Sequence, residues 1–140
     1  MEARFHGTCL ITSDVASLAA FYATVLDTTV RGGDPFAVVS VSGAVLSIYS
    51  SSGMETMVPG SMAGARSGNF TLEFEVDDVD NCYERLLAAA IPIVKPPTTQ
   101  PWGRRSVWLR DPDGNIVNLY RPTSSTDLSV DASREGSHSR

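Results

Sequence analysis

Apolar side chains recur in this sequence at two spacings, one typical of helices and the other of strands. Val15, Leu18 and Tyr22 lie three and four residues apart, so they predict a helix over residues 14–26 with one buried face. The same spacing predicts a second helix over residues 78–89. Each segment begins with an aspartate, a residue type that caps the first turn of a helix.

Runs rich in β-branched and apolar residues surround the two helices. Gly, Pro and Asp separate these runs, as is typical of short strands joined by turns. The predicted strands cover residues 5–12, 28–31, 35–42, 44–50, 70–76 and 91–94. Residues 96–103, PPTTQPWG, are predicted to form a loop.

Residues 105–120 predict a β-hairpin. Two β-favouring runs flank the segment DPDGN, residues 111–115. Pro112 fixes its own φ and suits the second position of a tight turn, while Gly114 and Asn115 tolerate positive φ. A turn therefore joins the two runs.

Two segments show neither spacing. Residues 51–68 combine Gly, Ser and Pro with Met54, Met57 and Met62. Two interpretations of this segment stay open: a linker with a few packed methionines, or a mobile flap whose thioethers cover an apolar ligand. Residues 122–140 are rich in Ser and charge, and they predict a disordered tail.

The two halves of the chain repeat one pattern. A shift of 64 residues places Gly7 on Thr71, and a shift of 71 residues places Ser47 on Asn118. Each half is predicted as β-α-β-β-β, so the fold class is α+β with two like modules that share one core. The predicted single domain covers residues 1–121, with module one at 5–50, the linker or flap at 51–68 and module two at 69–121.

Composition narrows the classes of partner. A length of 140 residues suits one domain, and a net charge of −5 argues against a nucleic-acid partner while allowing a cationic ligand. No apolar run approaches the roughly 20 residues of a membrane span, and the N-terminus lacks the apolar core of a signal peptide. Cys9 and Cys82 form no CxxC pair, so we expect a reduced, cytoplasmic protein with no membrane partner.

Three stretches together carry a family resemblance: SDVASLAAFYATVLD, FEVDDVDNCYERLLAAAIPIV and PWGRRSVWLRDPDGNIVNLY. The sequence resembles the vicinal oxygen chelate superfamily, which contains glyoxalase I, extradiol dioxygenases, fosfomycin-resistance enzymes and bleomycin-resistance proteins. The resemblance implies two βαβββ modules that form curved mixed sheets with outer helices, and a homodimer. Asp27 and Ala90 stand where the family commonly has the glycine that ends each helix.

The resemblance also implies where metal ligands would stand: Gly7, Ser47, Thr71 and Asn118. The family's enzymes use His, Glu or Gln at these positions, because a divalent metal needs imidazole or carboxylate lone pairs. None of the four residues in this chain is His, Glu, Asp or Cys. Cys9 has no histidine placed to activate it. We therefore expect no metal, no other cofactor and no catalytic residue, most closely as in the metal-free bleomycin-resistance-like binding proteins.

The same positions predict a binding cavity. Strand alternation puts Glu73 on the concave side, where it either meets a cationic or donor group of a ligand or pairs with Arg104 or Arg105. Trp102 either stacks on an aromatic ligand or packs on a partner subunit, and Trp108 faces either the cavity or the helices. The predicted ligand-binding residues are Ser47, Tyr49, Glu73, Trp102, Arg105, Trp108 and Asn118.

Three functions stay open at this point. The missing metal ligands favour a metal-free protein that binds or sequesters an aromatic, cationic, antibiotic-like small molecule. The alternatives are a metal-dependent lyase, isomerase or dioxygenase with displaced ligands, and a degenerate module for dimerisation or regulation. The expected partners are a small-molecule ligand and a second copy of the chain.

Overall fold

The computed structural model describes residues 2–123, which form eight strands and three helices. The strands make two four-stranded mixed sheets accompanied by helices, so the α+β prediction is confirmed. In chain order the elements are β1 (Gly7–Thr12), α1 (Val15–Val25), β2 (Val30–Gly33), β3 (Phe36–Val39), β4 (Val45–Ser50), α2 (Ser51–Met57), β5 (Thr71–Glu75), α3 (Val79–Ala88), β6 (Ile93–Thr99), β7 (Arg104–Arg110) and β8 (Ile116–Pro122).

The described chain divides into two compact units. Unit 1 comprises the described residues up to Ser67 together with Asp111–Asp113. Unit 2 comprises Gly68–Arg110 and the described residues from Gly114 onward. The turn of the last hairpin thus belongs to unit 1, although its strands belong to unit 2. The predicted tail lies, beyond Thr123, outside the described residues.

Unit 1 is a sheet in the order β1-β4-β3-β2 with α1 against one face. β1 and β4 are parallel, and the other pairs are antiparallel. The carboxylate of Asp14 accepts a hydrogen bond of 3.0 Å from the Ser17 amide and so caps α1. The helix buries its apolar side chains with those of alternate strand positions: Leu10, Val15, Leu18, Tyr22, Val25, Ala37, Val39, Leu46 and Ile48.

Unit 2 repeats this arrangement in the order β5-β8-β7-β6, with α3 as its helix. β5 and β8 are parallel, and the remaining pairs are antiparallel. Asp78 caps α3 through a bond of 3.0 Å to the Asn81 amide. The buried apolar residues are Val79, Leu86, Val107, Leu109, Val117 and Leu119.

Two segments differ from the sequence prediction. Ser51–Met57 is a short helix, because the Ser50 hydroxyl accepts from the Gly53 amide at 2.9 Å and caps its first turn. Strand β6 continues through Pro96 and Pro97, where a loop was predicted. Prolines are compatible with a strand here because β6 is at the edge of its sheet and its pairing with β7 is irregular.

A buried hydrogen bond ties α1 to the hairpin turn within unit 1. The Tyr22 hydroxyl donates to Asp111 Oδ2 at 2.6 Å, and Tyr22 is 0% exposed while Asp111 is 4% exposed. Asp111 Oδ1 in turn accepts from the Asp113 amide at 2.9 Å. The DPDGN turn is therefore held at both oxygens of its first aspartate.

Helices α1 and α3 are each followed, two residues after their ends, by a residue with positive φ: Asp27 at 49° and Ala90 at 57°. Alanine is strained in this region, whereas glycine is not and aspartate is partly tolerated. We expect Ala90→Gly to raise the free energy of unfolding by about 1 kcal/mol. Asp27→Gly serves as the matched variant with a smaller gain. Urea denaturation of both variants tests this, and no gain for Ala90→Gly would contradict the assigned conformation.

Candidate functional site

Each sheet has a second face that lies away from its helix, here called the helix-distal face. Side chains of paired residues in neighbouring strands point to the same face, so the register assigns the residues to each face. In unit 2 the helix-distal face carries Thr71, Glu73, Glu75, Lys95, Arg104, Ser106, Trp108, Arg110, Ile116, Asn118 and Tyr120. In unit 1 it carries Gly7, Cys9, Ile11, Arg31, Phe36, Val38, Val45, Ser47 and Tyr49.

One row of unit 2 brings together three predicted site residues. Asn118 is paired with Glu73 on one side and with Trp108 on the other. This resolves the open orientation of Trp108, which shares the helix-distal face with Asn118. Asn118 is only 2% exposed, and its Oδ1 has no hydrogen-bond partner.

Arg104 lies on the same helix-distal face of unit 2, against the Tyr120 ring. The guanidinium carbon of Arg104 lies 3.7 Å from the centre of the Tyr120 ring, a cation–π arrangement. Its Nη1 lies 3.8 Å from Glu73 Oε1, and the exposed fractions of the two side chains are 12% and 28%. Of the two alternatives for Glu73, the structure thus shows the pairing with an arginine, and that arginine is Arg104.

The expectation for Arg105 is corrected by the register. Arg105 pairs with Arg121, which puts it on the helix side of the sheet. There its guanidinium bonds both oxygens of Asp80, at 2.9 and 2.8 Å, and Thr99 Oγ1 at 3.0 Å. The hydrogen bond from Arg105 lowers the pKa of Asp80, and the same bond raises the pKa of Arg105. Arg104, not Arg105, therefore belongs to the candidate site.

Trp102 lies outside the strand rows. It is in the turn between β6 and β7, which is closed by a hydrogen bond of 3.1 Å from the Gly103 amide to the Gln100 carbonyl. The turn leads directly into Arg104. The stacking of Trp102 on an aromatic ligand stays a prediction.

The helix-distal face of unit 1 is largely apolar. Phe36 and Tyr49 are cross-strand neighbours whose ring centres lie 6.2 Å apart, nearly edge to face. Phe36 is 49% exposed and Val45 is 38% exposed, while Ser47 in the same strand as Val45 is buried at 7%. Ser47 and Tyr49 are thus on one face, as predicted from alternation.

Gly7 has no space for a side chain. A Cβ atom added to it would lie 2.0 Å from the backbone oxygen of Val45, its parallel partner in β4. Both atoms belong to closely paired strands, so the contact cannot be relieved by rotating a side chain. Any residue larger than glycine requires the two strands to separate.

A family model with the description Glyoxalase/Bleomycin resistance protein/Dioxygenase superfamily matches residues 4–119, which include every described strand except the end of β8. The chain belongs to this superfamily. The implied fold is the one observed, with a β-α-β-β-β order in each unit apart from the added helix α2. Membership fixes the fold and leaves ligand and reaction open.

Solved structures with the same fold are also found. A glyoxalase/bleomycin resistance protein/dioxygenase from Nocardioides has a TM-score of 0.74 and 21% identity, over 89% of this chain and 87% of that one. A family enzyme from Burkholderia phytofirmans PsJN has a TM-score of 0.74 and 20% identity, over 86% and 99%. At these identities the likeness shows the fold alone.

One curated relative is more similar in sequence over a shorter stretch. It is the uncharacterized protein YraH of Bacillus subtilis (strain 168), with 34% identity over 62 residues. These cover 44% of this chain and 48% of that protein, so the chain spans about half the length of the relative it matches.

The metal centre of the superfamily's enzymes does not fit the residues of this chain. Gly7 offers no side chain, Ser47 and Thr71 offer neutral hydroxyls, and Asn118 offers one amide oxygen. Divalent metals in such sites are held mainly by imidazole and carboxylate groups, and none of the four residues has either group. Across residues 2–123, three or more His, Cys, Asp or Glu side chains nowhere gather in a group that could hold a metal ion. No helix in the same range is long and apolar enough to cross a membrane.

Arg104 is absent from the site residues predicted from the sequence, where it is only a possible partner of Glu73. The signal was present in strand β7, where Val107 and Leu109 alternate with more polar positions. Because Val107 and Leu109 are buried core residues, Arg104, Ser106 and Trp108 must share the other face.

Proposed function

We propose that this chain binds a small aromatic molecule without a metal, as a member of the bleomycin-resistance type within its superfamily. The observation that carries this proposal is the closed backbone at Gly7, where a metal ligand of the family would stand. The side chains of the other three positions, Ser47, Thr71 and Asn118, are neutral. Binding rather than metal-assisted catalysis is therefore the function that these residues support.

Each unit presents aromatic side chains on its own helix-distal face. Unit 2 offers Trp108 and the Tyr120 ring, which is already stacked with Arg104. On its own helix-distal face, unit 1 offers Tyr49. Flat side chains of this kind bind flat ligand rings with little loss of conformational entropy.

Charge gives only partial support to a cationic ligand. Glu75 shares the helix-distal face with Glu73, but Arg104 offsets the charge of Glu73 at 3.8 Å. Lys95 and Arg110 add positive charge to the same face. We therefore propose an aromatic ring as the main requirement and a positive charge as a secondary one.

A thermal-shift screen tests the proposed function. Glycopeptides, anthracyclines and enediyne-like compounds are added to the purified chain in buffer with EDTA, because a ligand that binds the native state raises the melting temperature. Trp108→Ala should weaken binding of the best compound by about 1–3 kcal/mol. Phe70→Ala, at an exposed aromatic outside the strand rows, is the control and should bind normally. Equal affinity in both variants would count against this face.

We also propose that the chain forms a homodimer. Phe36 and Val45 expose apolar surface on one sheet face of unit 1, and a second copy would cover it. Sedimentation velocity at micromolar concentration should give twice the chain mass. A Phe36→Ser variant should shift toward the monomer, and a wild-type monomer would contradict the proposal.

A cytoplasmic location is part of the same proposal. It is supported by Cys9 and Cys82, which are both free thiols, as expected in a reducing compartment. Fractionation of the producing cells tests it, and recovery of the chain outside the cytoplasm would refute it.

A further inference from the structure

The buried amide of Asn118 stands out among the polar groups of unit 2. Its Oδ1 is shielded from solvent and has no hydrogen-bond partner, in a side chain that is 2% exposed. Buried polar atoms in native proteins almost always have a partner, because an unpartnered one costs free energy. An acceptor kept in this state needs an explanation.

The location of Asn118 supplies one. Strand β8 is a central strand of its sheet, and Asn118 lies in its middle between Glu73 and Trp108. The residues before and after it in β8, Val117 and Leu119, face the helix and are both fully buried. A leucine at 118 would therefore satisfy packing, and the fold alone does not require an amide.

We propose that Asn118 Oδ1 accepts a hydrogen bond from the bound ligand. This inference rests on the proposed function and specifies the ligand class. The ligand presents an N–H or O–H donor attached to a flat ring, and the ring lies against Trp108 in the same row. Aryl amides, phenols and N–H heterocycles have this chemistry, whereas quaternary ammonium compounds lack the donor.

Charge on this face agrees with a donor group more than with a full positive charge. Glu73, the carboxylate paired with Asn118 across the strands, has its Oε1 3.8 Å from Arg104 Nη1. Asn118 itself is neutral. It selects ligands by geometry, because its oxygen accepts a hydrogen bond only from a donor that points at it. The ligand reaches that oxygen when a flanking side chain turns aside, and Glu73, which is exposed while Trp108 is only partly exposed, is the neighbour with more freedom.

Asn118→Leu tests the inference through two readouts. The variant removes a buried acceptor without a partner and keeps the size of the side chain. We expect its melting temperature to rise by about 2–6 °C. The affinity for benzamide, which carries N–H donors, should fall about 5-fold or more. The affinity for N,N-dimethylbenzamide, which has the same ring and no donor, should stay within 2-fold.

Nuclear magnetic resonance measures these affinities directly. In a ¹H–¹⁵N spectrum the side-chain amide of Asn118 is the pair of peaks that disappears in Asn118→Leu, and benzamide should shift it in the wild-type chain. Asn81→Leu makes the same chemical change at an exposed position of α3. It should change neither the benzamide affinity nor the shift of the Asn118 peaks.

The outcomes separate this inference from the proposed function. Benzamide that fails to bind the wild-type chain, or binds Asn118→Leu equally well, overturns the inference. A large drop in the melting temperature of Asn118→Leu also overturns it, because the amide would then be structural. The proposed function is judged on the compound screen, so a hit there with no difference between the two benzamides leaves binding established and the donor assignment wrong.

Discussion

Gly7→Ala should lower the free energy of unfolding by about 1–3 kcal/mol, and by more if the strands cannot part. The added Cβ would lie 2.0 Å from the Val45 oxygen and 2.8 Å from its carbonyl carbon and amide nitrogen. These are backbone atoms of a parallel pair, and the Val45 amide is bonded to the His6 carbonyl at 2.9 Å. Relief of the overlap therefore breaks pairing between β1 and β4.

Gly33→Ala is the matched control for this substitution. Gly33 is in the same sheet, but a Cβ added there meets no atom within 4 Å. Glycine in a strand is less stable than alanine by about 0.5–1 kcal/mol, so this variant should be neutral or slightly stabilised. Urea denaturation gives the free energy of unfolding of each variant. Equal values would show that the Val45 backbone does not lie against Gly7.

This prediction bears on the family's metal centre. A histidine or glutamate at position 7 adds the same Cβ as alanine and a larger side chain besides. We expect Gly7→His to be at least as unstable as Gly7→Ala. One substitution therefore cannot restore a ligand at this position without moving β1 from β4.

Tyr22→Phe is the second substitution with a large expected effect. It removes the donor of the 2.6 Å bond to Asp111 Oδ2, in a place where both residues are buried. A buried hydrogen bond to a carboxylate contributes about 1.5–3 kcal/mol, and we expect a loss of stability in that range. Tyr83→Phe makes the same change at a partly exposed residue of α3 and should stay within about 0.5 kcal/mol.

The same hydroxyl should make stability depend on alkaline pH. Burial, and then the hydrogen bond to Asp111, raise the pKa of Tyr22 far above its usual value. The folded state therefore retains a proton that the unfolded chain releases near pH 10. This contribution to stability is complete below that pH and is lost above it, by about 1.4 kcal/mol per pH unit. The Tyr22→Phe variant should lack the part of the alkaline destabilisation that this hydroxyl causes. Identical plots of stability against alkaline pH for wild type and variant would refute this prediction.

The sequence predicted those features that depend on local rules. Helix spacing and the aspartate caps located α1 and α3 to within a residue or two, since Asp14 and Asp78 bond the first turns as expected. Strand alternation put Glu73 on the same face as Asn118 because side chains alternate with a period of two. Departures from the family pattern at Asp27 and Ala90 marked two positive-φ residues.

Features that depend on tertiary pairing could not be predicted in this way. The choice between Arg104 and Arg105 depends on the register of β7 against β8, because a shift of one residue exchanges the faces of the two side chains. Extension of β6 through Pro96 and Pro97 depends on its edge position, which no local pattern reveals. The closure at Gly7 likewise arises from Val45, a residue 38 positions away in the chain.

Metal independence of ligand binding is the central claim, and one calorimetric comparison tests it most directly. The best compound of the screen is titrated into the chain after exhaustive treatment with EDTA, and again with one equivalent of Zn²⁺, Ni²⁺ or Mn²⁺. We predict the same dissociation constant, within 2-fold, in every titration. Binding that disappears with EDTA and returns with one of these metals would contradict the account.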